Sequence, residues 1–441
     1  MVAVVSANGL GLFNSSLTQL GTSFGGQAGI GQSGAAQMVN IANGNLLLQN
    51  VDDSLDVRGF DTQLVRTYNS QGVVSGVGQD GFITGYERSV TLTSGTVNTA
   101  GSVMTLSTGD GQSIAFTYNT TTGQYTTTAG SGAYDTLVRN VSGSVVTWVY
   151  TNGSTREQDT YADYADPVQK GRLLKMVQTT TDGTTPAEFD VLYDASNRIS
   201  EIVSVNNTGN SSTVPDAIVF GYNGTTSQLT SVTTTVNGTT ESEVSYGYDS
   251  YGRLSYVQTD LNPTSGINYI WNATNLAANS GLLYRTTYTY VTTKATDLRI
   301  ASVTTSDGVK VSYTYDASGR VLTVTQGTGT AAQKVTFAYN TGNTTMTDGA
   351  GRVWTYQYNA GDQLTAVTDP SGETTAYTYT AAGKVASISM TAPAANTPTT
   401  ETIYQYDSNG NCILSRDLLG DTTTWTYNTA NQVTSQTQYT T

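Results

Sequence analysis

Histidine is absent from the 441 residues, and cysteine occurs once, at Cys412. The first absence removes the commonest general base and the commonest metal ligand. The second rules out a disulfide within the chain. Charged residues make up only 12% and the net charge is −14, with no basic cluster along the chain. Such a surface repels phosphate backbones and gives an anionic membrane nothing to hold, so neither nucleic-acid binding nor membrane insertion is expected. No hydrophobic run approaches the length of a membrane-spanning helix. The opening residues, MVAVVSANGLGLF, lack the basic start and long apolar stretch of a signal peptide. Export by another route, or origin as a piece of a longer protein, is the expectation.

Hydrophobic residues, at 37%, are few for a packed enzyme, and Gly, Ser, Thr, Asn and Gln take their place. Val, Tyr and Thr recur in alternating runs, which favours β-structure over disorder. There are 29 tyrosines against 8 phenylalanines. A dry core takes Phe as readily, so the excess points to surfaces with an apolar side and a wet tip.

One pattern organises the chain. YTYDASGRVLTVT, from Tyr313 to Thr325, has echoes in LYDASNRISEI, YGYDSYGRLSYV, YQYNAGDQLTAV, YTYTAAGKVASI, YQYDSNGNCILS and WTYNTANQVTSQ. The second aromatics Tyr358 and Tyr379 lie 21 residues apart, as do Tyr406 and Tyr427, whereas Tyr222 and Tyr248 are 26 apart. This elastic period marks a repeat with loops of variable length on a two-strand unit. Tyr313 and Tyr315 point to one face of a strand. Asp316 opens a turn by accepting hydrogen bonds from backbone ahead of it, and Gly319 supplies positive φ. Val321 and Val324 break strict alternation, which a bulge or a strand end would explain. TDPSGE, TDGAGR and RDLLGD supply a second turn per unit, giving a strand roughly every ten residues and about 40 in all.

A lone hairpin is marginal in water, so each unit must pair with its neighbours. A sheet this long must close, coil or spiral. With few large aliphatics, it is expected to form a hollow, sheet-walled tube.

These residues resemble the YD repeats of the Rhs family, named for the Tyr-Asp pair, and the resemblance runs from about residue 39. VNIANGNLLLQN and RTYNSQG look like the stretch leading into such repeats. Similar proteins include bacterial polymorphic toxins, the C component of insecticidal toxin complexes, and teneurins. The resemblance implies an all-β fold in which a long antiparallel meander of hairpins winds into a spiral shell, enclosing a toxic domain in the toxins. It also implies a self-cleaving Asp pair in a DPxG segment. Asp369-Pro370-Ser371-Gly372 matches that string but sits inside a repeat, and the sequence ends in SQTQYTT with no toxin domain after it.

The sequence divides into a Gly/Ser/Gln-rich leader or plug over 1–38, a degenerate hairpin lead-in over 39–175, and YD repeats over 176–441. Residues 20–37 suggest little regular structure, and 270–283 is the best, weak, helical candidate. No catalytic, cofactor-binding or metal residues are expected. The acids recur at turn positions, whereas paired acids for glycoside chemistry need a unique site. Arg253, Arg320 and Arg352 are read as pairing with nearby acids or lying over tyrosine rings rather than binding anions. Cys412 is read as a small apolar residue, and GDGQ and TDGAGR as turns rather than calcium loops. The expected function is a non-catalytic shell or scaffold of a secreted or surface Rhs-type bacterial protein around a polypeptide cargo. The alternative is an extracellular fibre or adhesin subunit. It would associate through open strand edges and bind carbohydrate on its tyrosines. A parallel β-helix enzyme is disfavoured by the hairpin turns.

Overall fold

The computed structural model describes residues 3–12, 15–19, 35–55, 62–72, 80–127, 134–153, 155–178, 187–205, 215–224, 226–260, 283–393, 397–428 and 432–441. They form 34 strands in two sheets. The larger sheet, the wall, runs from Ser89–Ser94 to Val433–Tyr439 in sequence order through 28 strands. Every neighbouring pair in it is antiparallel, as hairpin connections require. Alternation decides which side faces in. In Lys310–Tyr315, Val311 and Tyr313 are buried while Ser312 and Thr314 face outward. On the outer side hydroxyls pair across strands, as in Thr314 with Thr323 and Thr289 with Ser302, both at 2.7 Å. Threonine suits such a strand: its branched side chain fits the pleat and its hydroxyl finds a partner across it.

The wall coils. Its end strands share no register among the described residues. Instead Ser89 forms a bridge with Arg172, flanked by hydrogen bonds from Val90 N to Gly171 O (2.9 Å) and from Leu173 N to Arg88 O (3.2 Å). The start of the wall is thereby stitched to the strand Leu173–Gln178. Farther round, the Tyr134 ring packs on Gly410 and beneath the Lys384 ammonium, which lies 5.5 Å from its centroid. An early hairpin thus meets late repeats by side-chain contact.

The smaller sheet has six strands between Ala3–Ala7 and Phe82–Thr84. Its one parallel pair joins Ala3–Ala7 to Ala35–Asn40. It lies inside the wall, so the lumen is filled along this stretch. Leu46, Leu48, Leu64, Tyr68 and Phe82 share one core with Ile218, Val232, Val244, Tyr288, Ile300 and Val321 of the wall. On the opposite face Ala3, Val5, Ala7, Met38 and Leu47 form a second cluster. Strand pairing groups residues 3–84 in one sheet and 89–439 in the other. The low-structure reading of 20–37 falls on residues outside those described as far as Ala35, where a strand begins. The helical candidate over 270–283 also lies outside them up to Leu283, which starts a strand.

Candidate functional site

Two features recur or converge: the turn unit that builds the wall, and a polar interface where the inner sheet meets it. In the unit built from Lys310–Tyr315 and Val321–Gln326, Asp316 organises the turn. Its Oδ1 accepts hydrogen bonds from the backbone N–H groups of Ser318 (2.9 Å) and Arg320 (3.0 Å), and its Oδ2 accepts from Arg320 Nε (2.8 Å). Gly319 has φ +79° and donates to the Asp316 carbonyl at 3.0 Å. Burial works to raise the Asp316 pKa, but the Arg320 N–H and guanidinium and the Ser318 N–H outweigh it and hold the carboxyl below its usual range. Asp194, Asp249 and Asp348 repeat the arrangement, while Asp369, Asp407 and Asp417 keep the backbone bonds.

The return strand starts with an extra residue. Tyr315 pairs with Val321 but Thr314 pairs with Thr323, so Leu322 is skipped. This bulge puts Val321 and Val324 on the same inner face and turns Leu322 outward. The same shift precedes Tyr193, Tyr222, Tyr248, Tyr290, Tyr358, Tyr379, Tyr406 and Tyr427.

The second tyrosine of most units ties it to the one before. Tyr315 Oη donates to the carbonyl of Ile300, the first residue of the preceding return strand, at 2.8 Å. Tyr193 does the same to Leu173, Tyr222 to Ile199, Tyr248 to Leu229, Tyr290 to Leu254, Tyr339 to Val321, Tyr379 to Leu364, Tyr406 to Val385 and Tyr427 to Cys412. The turn arginine supports the next tyrosine in the ladder. Arg253 lies 4.2 Å from the Tyr290 ring centroid, Arg320 4.6 Å from that of Tyr339 and Arg198 4.4 Å from that of Tyr222. The Tyr-Asp pair is therefore a joint: the Asp shapes one turn, and the Tyr hydroxyl satisfies a carbonyl of the turn behind it.

The interface inside the wall has no repeat. A bulge in Leu46–Leu55 skips Asp52, so two successive carboxylates reach the wall. Asp52 Oδ2 accepts from Arg66 Nε (2.6 Å) and Tyr246 Oη (2.8 Å). Asp53 Oδ2 accepts from Thr234 Oγ1 (2.7 Å) and Ser242 Oγ (2.6 Å). Arg66 also donates to Tyr288 Oη at 3.2 Å and lies 4.6 Å from the Phe82 centroid. Burial disfavours its charge, but Asp52 reverses the balance and holds the guanidinium protonated. Asp80 sits nearby, where burial pushes its pKa up to about 7 against the Phe82 N–H and Arg66. Further ties join Tyr313 Oη to Gln37 (2.7 Å), Thr344 Oγ1 to the Ile41 carbonyl (2.6 Å) and Tyr68 Oη to the Leu298 carbonyl (2.9 Å). These polar groups largely satisfy one another, which suits a register lock.

The RHS Repeat family model matches residues 296–331, 339–374 and 358–397. A second model, described as a domain of unknown function (DUF6531), matches residues 36–116. Over residues 296–397 the chain carries repeats of the Rhs/YD-repeat type. No curated protein sequence matches it. Among solved structures it is similar to TcdB2-TccC3 without its hypervariable C-terminal region, at 14% identity and a TM-score of 0.36, over 89% of this chain and 26% of that one. TcdB2-TccC3-Cdc42 gives 13% identity and a TM-score of 0.36 over 89% and 26%. A porin-like protein from Bacteroides uniformis gives 10% and 0.15 over 69% and 94%. The chain thus spans about a quarter of the TcdB2-TccC3 chains it matches.

As a YD-repeat protein its arginines are placed as the sequence suggests. Arg253, Arg320 and Arg352 pair with Asp249 (2.7 Å), Asp316 (2.8 Å) and Asp348 (2.7 Å). The wet tip expected of the tyrosines is different in kind: the repeat hydroxyls reach backbone carbonyls, and Tyr246, Tyr288, Tyr313 and Tyr356 are buried. Cys412 stands where Val321 stands in its unit, with its thiol raised by burial. Asp110 of GDGQ accepts from the Leu12 N–H at 2.6 Å, linking the turn to the N-terminal sheet. Asp369 of DPSG is a turn residue, bonded by the N–H groups of Ser371 and Glu373, each at 2.9 Å. No group of three or more Cys, Asp or Glu among the described residues is placed to hold a metal. Sequence reasoning missed Asp52, Asp53, Arg66 and Asp80. The signal was the adjacent acids of VDDSL inside a strand-like run, where a buried face has no use for charge.

Proposed function

We propose that the chain is a non-catalytic shell or scaffold of a secreted or surface Rhs-type protein, and that its wall encloses or carries a polypeptide cargo. One observation carries this reading. The apolar stripe on the inner face is buried through Val367, part of it against the chain's own N-terminal sheet, whereas the corresponding Tyr377, Ile388, Tyr404 and Trp425 stand half-buried. A polypeptide lying against these later strands would bury them as the N-terminal sheet buries the earlier ones, with apolar contact as the driving force. The periodic acids and tyrosines are engaged in turns and joints, which supports a structural role. The secreted or surface location rests on the likeness of these repeats to Rhs-type proteins.

The test places an unstructured reporter polypeptide after Thr441 and follows its digestion by a broad-specificity protease. Enclosure predicts that the reporter survives much longer than the same peptide free in solution. Equal digestion rates overturn it.

A further inference from the structure

Four of the chain's 19 basic residues, Arg88, Lys170, Arg172 and Arg198, line one depression of about 350 Å³. It lies at the turn edge of the wall, beside the bridge that stitches Ser89 to Arg172. In a chain of net charge −14 this concentration of cations stands out.

Two of the four charges are matched. Arg88 pairs with Asp159 at 2.7 Å, and Arg198 with Asp194 at 2.6 Å. The other two have no carboxylate partner among the described residues. Arg172 donates to the Asn197 carbonyl and lies 5.3 Å from the Tyr193 ring centroid, neither of which neutralises it. Lys170 is exposed, and its backbone takes φ +47°, a conformation lysine seldom adopts. One carboxylate, Glu87, shares the depression, with an oxygen accepting the Thr84 N–H at 2.7 Å. Ser89 and Ser107 also line it, beside Ile83 and Ile199.

We infer that this depression binds a small oxyanion of the phosphate class, with Lys170 and Arg172 as its charged contacts. Two unmatched cations against one engaged carboxylate leave an excess of positive charge. Guanidinium and ammonium groups together suit a tetrahedral oxyanion better than a halide. The volume admits inorganic phosphate or a small phosphate monoester.

The experiment is calorimetric titration of the purified chain with inorganic phosphate and with glycerol phosphate, at constant ionic strength set by sodium chloride. Saturable one-to-one binding is expected, about tenfold weaker in Lys170→Ala. Arg172→Gln is expected to weaken it similarly, and the unfolding midpoint of each variant in chloride alone reports whether it folds. Tighter binding of the monoester assigns the site to a phosphate ester, and equal binding assigns it to the free anion. Heats that chloride reproduces, or affinity unchanged in a folded Lys170→Ala, overturn the proposal.

Discussion

The Tyr315 hydroxyl donates to the Ile300 carbonyl oxygen at 2.8 Å, joining the end of one hairpin to the start of the preceding return strand. The ring packs against the core, so the bond is shielded from water. Removing only the hydroxyl, in Tyr315→Phe, is expected to cost about 1–2 kcal/mol, the worth of a hydrogen bond plus the desolvation of the abandoned carbonyl. Tyr427 makes the equivalent bond to Cys412 nearer the chain's end, where no residue of its strand is fully buried. There water can replace the lost donor, and Tyr427→Phe is expected to change stability by less than about 0.5 kcal/mol. Urea denaturation of both variants checks the contrast. Equal losses would show that the ladder's strength does not depend on its shielding.

The Tyr134 ring packs against Gly410, where a Cβ would collide with it. Gly410 also has φ +81°, so two effects are mixed in any substitution. Gly319 separates them: its φ is +79° and nothing lies within 4 Å of a Cβ built there. Gly319→Ala is expected to cost about 1 kcal/mol from the left-handed backbone alone. Gly410→Ala is expected to cost about 1–3 kcal/mol more, because the ring must move and the contact between early and late repeats opens. Denaturation midpoints give the difference. Identical losses would mean that this seam contributes nothing.

Asp80 titrates at about 7 because burial disfavours its charge. Its folded pKa lies above the unfolded value, so the native state holds the proton more tightly. Stability is therefore expected to fall as pH rises from about 4 to about 7 and to level off above. The groups facing it oppose one another: Arg66 favours the carboxylate, while Glu87 and burial disfavour it. Asp80→Asn removes the titration. It is expected to flatten this part of the stability–pH curve and to stabilise the chain at pH 8 by roughly 2–4 kcal/mol, the upper figure being the whole shift. Chemical denaturation across pH 4–8 decides it, and an unchanged slope in the variant would place the titration elsewhere.

The repeat was legible because its determinants are local. Asp316, Gly319 and Arg320 sit within five residues, and each turn bond they make lies inside that window. The spacing of Val321 and Val324 left a bulge or a strand end open, and the register shift opposite Tyr315 decides for the bulge. The tyrosine ladder was less legible. The acceptor is a backbone carbonyl 15 to 36 residues away, and a carbonyl leaves no trace in sequence. The inner sheet was least legible. Asp53 meets Ser242 across 189 positions, and no local pattern ties VDDSL to that strand. Sparse aliphatics suggested a hollow tube. The chain instead fills part of its own lumen with leucines gathered near its start, which composition averaged over all residues conceals.

The Arg66–Asp52 pair is where that inner sheet is most exposed to electrostatic cost. Both side chains are almost fully removed from solvent, and Arg66 Nη1 is buried without a hydrogen-bond partner among the described residues. Taking such a pair out of water costs several kcal/mol per ion, which their attraction repays only in part. Asp52→Asn leaves the guanidinium buried and unmatched, and is expected to cost about 3–5 kcal/mol. Arg66→Met strands the carboxylate and is expected to cost a similar amount, softened by the Tyr246 hydroxyl that still donates to it. Replacing both, in Asp52→Asn with Arg66→Met, removes both charges and is expected to recover most of the loss. A double-mutant cycle in guanidinium chloride measures the coupling. Strong coupling with a recovered double variant would mean that the pair fixes the register of the inner sheet more than it adds stability. Additive losses would mean that each residue acts through its own packing, and the hydroxyl contacts of Asp53 would then be the lock.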